Sequence, residues 1–151
     1  MALIALEISY REIGHGSVEY DEACVFRNRL LRIPLGLDLF DEDLQQETTW
    51  VHLSGFEPDG RLVAYLQLKP LDGCTVKMQQ VAVAPELQGQ GIGRALVERS
   101  ERVAASRGWR EMVLHAREGA VSFYTALGYD REGDRFVEVG VPHFRMRKAL
   151  G

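Results

Sequence analysis

The spacing of apolar residues along the first third of the chain predicts one strand, one helix and a long loop. A short apolar run at residues 3–8 indicates the strand. Apolar residues at helical intervals over residues 18–31 indicate an amphipathic helix that ends before Pro34. Residues 35–47 have no clear period, so we expect a loop that contains a short helix.

The rest of the chain alternates between strand and helix patterns. Residues 50–56 and 61–69 alternate apolar and polar side chains around Pro58-Asp59-Gly60, which predicts an antiparallel hairpin. Further strands are predicted at 75–83, 112–116, 129–139 and 142–148, and helices at 91–106 and 120–127. This order predicts an α/β fold in which a mixed sheet carries helices on its faces.

Composition places the chain in an ordinary class. Of its 151 residues, 46% are apolar and 26% are charged, which is typical of one globular domain over residues 1–151. The net charge of −4 argues against a nucleic-acid-coating protein. Neither a signal peptide nor a membrane-spanning run is recognisable, so we expect a cytoplasmic protein.

The two cysteines do not indicate a metal site. Cys24 and Cys74 lie 50 positions apart and have no close second Cys or His. This spacing fits neither a zinc site nor a disulfide framework. We therefore expect no metal, and two buried free thiols in a reducing compartment.

A glycine-rich segment follows the strand predicted at 75–83. Gly89, Gly91 and Gly93 alternate, and a helix begins within them. Unpaired amides at a helix start, together with the helix dipole, form an anion site, and Arg94 adds a positive charge suited to a pyrophosphate. The segment lacks the dinucleotide-binding glycine spacing and the lysine of a Walker A loop. The alternative is that the three glycines only form a tight strand-to-helix turn.

Two blocks of sequence resemble the GNAT family of N-acetyltransferases. Gln88, Gly91 and Gly93 match its signature of Gln or Arg, two residues, Gly, one residue, and Gly or Ala. Residues 120–129, AVSFYTALGY, resemble its A-x-x-F-Y-x-x-x-G-F/Y helix. The resemblance implies a single-domain fold with a mostly antiparallel sheet and helices on both faces.

The resemblance also implies acetyl-CoA as donor substrate and a primary amine of a small molecule or peptide as acceptor. Tyr124 matches the tyrosine that protonates the departing thiolate, although the residue would otherwise be read as a core aromatic. Backbone groups of Val81 and Val83 would bind the pantetheine arm, and the glycine loop would bind the pyrophosphate. The cofactor-binding residues implied are Val81, Ala82, Val83, Gln88, Gly89, Gln90, Gly91, Ile92, Gly93, Arg94, Ala120, Phe123 and Tyr124.

The general base is less evident. Many relatives place a carboxylate on the strand before the glycine loop, where this chain reads Lys-Met-Gln-Gln at 77–80. Residues 136–146 resemble a subgroup tail, F-x-E-x-G-I-P-H-x-x-M, which draws attention to Glu138 and His143. Both would act as base or amine ligand, or would be a surface carboxylate and a hydrogen-bonded strand histidine. His115 is expected to be a core histidine.

Some alternatives stay open at this point. The missing strand carboxylate prompts a second hypothesis, a non-catalytic acyl-CoA-binding module of the same fold. The acidic run at residues 38–47 is either a solvated face or a means of attracting a cationic amine. Exposed C-terminal strands suggest a homodimer formed by edge pairing or sheet packing.

Overall fold

The computed structural model describes residues 7–151, which form a seven-stranded sheet and three α-helices. The strands are β1 (Ser9–Ile13), β2 (Val51–Phe56), β3 (Leu62–Pro70), β4 (Thr75–Val83), β5 (Glu111–Arg117), β6 (Asp130–Glu138) and β7 (Val141–Ala149). The helices are α1 (Val18–Leu31), α2 (Ile92–Ser106) and α3 (Val121–Ala126). The strand order is β1-β2-β3-β4-β5-β7-β6, in which β4 and β5 run parallel. The predicted α/β fold with a mostly antiparallel sheet is confirmed.

The predicted elements are reproduced with small shifts, except for the first strand. Residues 3–6 lie outside the described part of the chain, and the strand at 3–8 is wrong for residues 7 and 8. The first described strand is β1, which pairs antiparallel with β2 from Ser9↔Phe56 to Ile13↔His52. Most of β1 is exposed, so no apolar run marks it in the sequence.

Two compact units make up the chain. The first contains residues up to Gln67 together with Gln80–Val97, and the second contains Leu68–Gln79 together with Glu98–Gly151. Each has its own apolar core. The first core includes Ala23, Phe26, Leu39, Phe56, Val63 and Tyr65. The second unit buries Val76, Met78, Met112, Leu114, Ala116 and Met146.

Helix α1 begins with a serine cap and buries a partly polar face. The Ser17 hydroxyl accepts the Tyr20 amide at 3.1 Å, which satisfies a first-turn donor. Tyr20 and Arg27 are buried, whereas Val18 and Val25 are 79% and 58% exposed. The apolar periodicity predicted the helix correctly but included two valines that face solvent.

Arg27 is held in the core of the first unit by Glu47. Its Nη1 and Nη2 atoms donate to the two Glu47 carboxylate oxygens at 2.9 and 2.7 Å. The Tyr20 hydroxyl donates to Glu47 Oε1 at 2.7 Å. Burial alone would raise the pKa of the Glu47 carboxyl, but the Arg27 guanidinium outweighs burial and lowers it. This ion pair therefore ties the loop before β2 to α1.

His52 extends this network into the sheet. Its Nε2–H donates to the Glu47 carbonyl at 2.9 Å, which leaves Nδ1 to accept the Tyr65 hydroxyl at 2.6 Å. Gln67 Nε2 in turn donates to the Tyr65 oxygen at 2.9 Å. A carbonyl can only accept, so these contacts define the tautomer of His52.

The acidic run at residues 38–47 mainly holds its own loop. Asp38 accepts the Phe40 amide at 3.0 Å, and Asp43 accepts the Gln45 amide at 3.1 Å. Glu42 pairs with Arg32 at 2.7 Å. Asp38 and Asp43 thereby cap two 3₁₀ turns, Leu39–Asp41 and Leu44–Thr49, where the sequence predicted one short helix. These contacts favour a structural role for the acidic run over attraction of a cationic amine.

Three smaller expectations can be compared with the structure. Cys24 is buried as expected, but Cys74 is exposed, so the prediction of two buried thiols is wrong for Cys74. It lies in the exposed β3–β4 turn, where its amide binds Asp72. Strand β6 forms an edge that is charged and irregular between Glu132 and Phe136, which disfavours edge pairing of a homodimer. None of the described helices is long and apolar enough to cross a membrane.

We predict that Glu47→Gln lowers the free energy of unfolding by about 3–5 kcal/mol, because it leaves the buried Arg27 charge uncompensated. Glu42→Gln is the matched control: it breaks an exposed pair between the same loop and helix and should cost at most about 1 kcal/mol. Urea denaturation measures both. Equal losses would contradict the structural importance of the buried pair.

Candidate functional site

The glycine loop lies at the surface of the first unit and has a backbone that requires glycine at two positions. Gly89 and Gly91 have φ angles of +80° and +83°, in the left-handed region. A Cβ atom at either position would meet nothing within 4 Å. The conformation rather than crowding within the protein therefore requires glycine, and the space beside the loop is open to a ligand.

Helix α2 begins inside this loop. The Gly91 carbonyl accepts the first helical hydrogen bond, from the Ala95 amide at 3.0 Å. The amides of Ile92 and Gly93 precede that bond, so neither has an intrahelical carbonyl to bind. Gly91 has no side chain with which to cap them. Amide donors and the helix dipole together favour a bound anion here.

Gln88 closes the loop onto the preceding strand. Its side-chain amide donates to the Val83 carbonyl at 3.2 Å, and its backbone amide donates to the Pro85 carbonyl at 3.4 Å. The signature glutamine thus shapes the loop. The exposed ion pair between Arg61 and Glu86 neutralises the carboxylate at the start of the loop.

The end of β4 contains a strained residue next to the positions expected to bind the pantetheine arm. Gln80 has a φ angle of +59°, which is uncommon for a residue other than glycine. Its Oε1 atom is buried and has no hydrogen-bond partner among residues 7–151. Ala82 packs in the core, while Val81 and Val83 are half-buried. An unsatisfied acceptor here fits a ligand that carries amide donors, as pantetheine does.

Tyr124 lies on α3 in the second unit and is 7% exposed. Its ring contacts Phe123 and Tyr129 edge to face, with centroids 4.9 and 5.8 Å away. No hydrogen bond to its hydroxyl is seen within the described chain, and burial raises the pKa of the phenol. Tyr124 is therefore protonated at neutral pH. Ala120 immediately precedes α3, and Phe123 is partly exposed beside Tyr124.

Glu138 and His143 lie together in the second unit, and His115 joins them. Glu138 Oε1 is 3.0 Å from His115 Nδ1, and Glu138 Oε2 is 3.7 Å from His143 Nε2. Phe136 packs against both imidazoles, edge to face on His115 and stacked on His143. His143 is buried, whereas the Glu138 side chain is 42% exposed. The carboxylate therefore opens to solvent between two oriented rings.

Hydrogen bonds define how each imidazole faces the carboxylate. His143 Nδ1–H donates to the Val141 carbonyl at 2.7 Å, so its Nε2 points toward Glu138. His115 Nδ1–H donates to Glu138. Burial would raise the pKa of the Glu138 carboxyl, but the His115 hydrogen bond, with the charges of His115, Lys77 and His143, lowers it. Glu138 is therefore ionised at neutral pH.

The turn that follows Glu138 is strained. Val139 and Gly140 have φ angles of +47° and +75° between β6 and β7. A β-branched residue is rare in this region, and Val139 is also 48% exposed. The tight turn brings the end of β6 back along β7, where Phe136 pairs with His143.

The structure thus groups the predicted residues into separate sets. Glu138 and His143 form one cluster, and sequence reasoning missed that His115 belongs to it. The available signal was that His115 is a polar residue in an apolar strand. The expectation of a core histidine is wrong, because His115 is half-buried. Ala120, Phe123 and Tyr124 lie in the second unit, and residues 81–83 and 88–94 in the first. Among residues 7–151, no group of three or more His, Cys, Asp or Glu side chains is placed to hold a metal ion.

Comparison with known proteins identifies relatives of the chain. Residues 37–150 match the model of the family described as acetyltransferase (GNAT) domain. A UPF0039 protein of Schizosaccharomyces pombe is 34% identical over 103 residues, covering 66% of this chain and 67% of that protein. Matches to three further curated relatives, two from Bacillus subtilis and one from Oryza sativa, span about half of each relative.

Solved structures share the fold. An aminoglycoside 6'-N-acetyltransferase complexed with coenzyme A aligns with a TM-score of 0.79 at 18% identity, over 94% of this chain and 97% of that one. A GNAT acetyltransferase of Elizabethkingia anophelis with acetyl-CoA bound aligns with a TM-score of 0.70 at 20% identity, over 95% and 98%.

We predict that Gly91→Val weakens acetyl-CoA binding by about tenfold or more, a loss of about 1.4 kcal/mol or more, because its side chain enters the open space beside the amides. Gly108→Val is the matched control. Gly108 also has a positive φ angle, +92°, and open surroundings, but it lies beyond the other end of α2. Calorimetric titration should show lost affinity in the first variant only. Unchanged affinity in both folded variants would contradict the assignment of the loop.

Proposed function

The chain belongs to the GNAT family of N-acetyltransferases, and on that premise we propose that it transfers the acetyl group of acetyl-CoA to a primary amine of a small molecule or peptide. Two sets of residues support the proposal. The glycine loop and the residues before it fit a donor such as acetyl-CoA, and Glu138, His143 and Tyr124 are the candidate base and acid. The observation that carries the proposal is the open carboxylate–imidazole pair of Glu138 and His143, which compensates for the missing strand carboxylate.

The groups that would hold the donor substrate differ in chemistry along the first unit. The amides of residues 89–94 and the Arg94 guanidinium would bind the pyrophosphate. Gln80 Oε1 and backbone groups of Val81 and Val83 would accept or donate hydrogen bonds to the pantetheine arm. This proposal explains why Gln80 retains a buried acceptor without a partner in the described chain.

Glu138 and His143 would bind and deprotonate the acceptor amine. Glu138 Oε2 lies 3.7 Å from His143 Nε2. In neutral His143 the Nδ1–H donates to the Val141 carbonyl, so Nε2 is then an acceptor. Two acceptors that face each other lack a donor between them. An ammonium group placed there can donate one N–H to each atom. Proton transfer to this pair leaves the neutral amine that can attack a thioester. His115 would act as a positioning residue, because its hydrogen bond orients the carboxylate and keeps it ionised.

Tyr124 would supply the acid. In the proposed reaction the amine nitrogen forms a bond to the acetyl carbon, the carbon–sulfur bond breaks, and the leaving thiolate takes the Tyr124 hydroxyl proton. The ammonium gives one proton to the Glu138–His143 pair before the attack. The second proton, which the nitrogen loses as the amide forms, goes to the Tyr124 phenolate, so protons and charges balance. The burial that raises the pKa of Tyr124 keeps its proton available at neutral pH.

We predict that Tyr124→Phe lowers kcat by about 10²–10⁴-fold, the contribution typical of a general acid, while acetyl-CoA affinity is retained. Tyr129→Phe is the matched control. Tyr129 is also buried in the second unit, but its hydroxyl donates to Glu101 at 2.8 Å. The Tyr129→Phe variant should lose about 1 kcal/mol of folding free energy and keep its activity. Thiol release from acetyl-CoA with a panel of amines measures both. Full activity of the Tyr124 variant would exclude this acid, and donor binding without turnover would favour the non-catalytic module.

We predict that His115→Leu moves the acid limb of the kcat/KM profile to higher pH. Glu138 must be ionised to act, and losing the His115 hydrogen bond removes a cause that lowers the pKa of the Glu138 carboxyl. Activity is thus lost at a higher pH as the solution is acidified. His115→Asn retains a donor near the position of Nδ1 and should keep the limb close to that of the wild type. Identical profiles for all three proteins would contradict the positioning role.

A further inference from the structure

One face of the sheet in the second unit carries polar residues on β4, β5, β6 and β7. Lys77 of β4 pairs with Val113 of β5, and His115 follows two residues later on the same face. His115 pairs with Arg145 of β7. His143 of β7 pairs with Phe136 of β6, two residues before Glu138. Strand alternation therefore brings Lys77 to the same face as the proposed amine-binding pair.

Most charges on this face are already paired. Toward one end, Glu132 binds Arg147 at 2.8 Å and Arg145 at 3.0 Å, and Glu111 also contacts Arg147. Toward the other end, Glu138 lies between His115 and His143. Within each of these two clusters, the opposite charges compensate each other.

Lys77 is the exception. It is half-buried, and no hydrogen bond or ion pair to its ammonium is seen within the described chain. Burial lowers the pKa of Lys77, the cations Lys69 and Arg145 lower it further, and Glu138 opposes them. A half-buried cation near other cations, with a carboxylate that is already hydrogen-bonded, is stabilised by an added anion.

We propose that the acceptor amine also carries a carboxylate, so that it is an amino acid or a compound of that type. Lys77 binds the carboxylate, while Glu138 and His143 hold the ammonium. The proposal rests on the proposed function and specifies its substrate class. It accounts for a cation and an anion on one polar face, since a zwitterion requires both. A simple amine would leave Lys77 without an ion pair in the described chain.

The experiment compares acceptors in pairs that share a carbon skeleton and differ in the carboxylate, such as β-alanine with ethylamine and 4-aminobutyrate with propylamine. Thiol release from acetyl-CoA gives kcat/KM for each. We expect the wild type to favour the amino acid by about tenfold or more, equivalent to about 1.4 kcal/mol. Lys77→Met should abolish that preference by slowing the amino acid alone. Lys77→Arg should keep it.

The control is Arg131→Met, which removes a cation from the opposite face, where Arg131 lies over the Phe144 ring. It should leave the preference unchanged. A wild type that favours the simple amines, or a Lys77→Met variant that keeps the preference, would overturn the zwitterion proposal and leave the acetyltransferase proposal intact. Donor binding without thiol release for any compound of the panel would contradict both.

Discussion

The buried ion pair between Arg27 and Glu47 is the constraint on which the first unit depends. It fixes to α1 a loop that has only short 3₁₀ turns, and through the Glu47 carbonyl it reaches His52 on β2. A charge this deeply buried is tolerated only with its partner in place. Loop, helix and sheet are therefore coupled, and the loop that follows β4 belongs to the same unit.

Polar groups in the rest of the molecule fall into two kinds. Those of the core, such as Tyr20 and Tyr65, have partners that fix their orientation. The polar groups proposed to act in function either have no hydrogen-bond partner in the described chain or lie far from their nearest polar neighbour. Examples are the Gln80 side-chain oxygen, the Tyr124 hydroxyl and the gap between Glu138 and His143. A ligand that satisfied these groups would recover the free energy that they cost, which is typical of functional sites.

Sequence patterns were enough for α1, the β2–β3 hairpin and the glycine loop, because periodicity and turn residues are local signals. They failed for β1, whose exposed Ser-Tyr-Arg-Glu stretch owes its strand conformation to pairing with β2. They also failed for Arg27, a charge that no periodicity marks as buried. The sequence identified Glu138 and His143 of the candidate site but not His115. His115 joins them only through the pairing of β5 with β7, which no local pattern encodes.

The most direct test of the account is a thermal-shift titration of the intact protein with acetyl-CoA, with ATP and NAD as controls. A ligand that binds only the folded state raises the melting temperature. We predict a rise that saturates with acetyl-CoA and is absent with ATP and NAD. No rise with acetyl-CoA, or an equal rise with ATP, would contradict the central claim that the glycine loop binds the acyl donor.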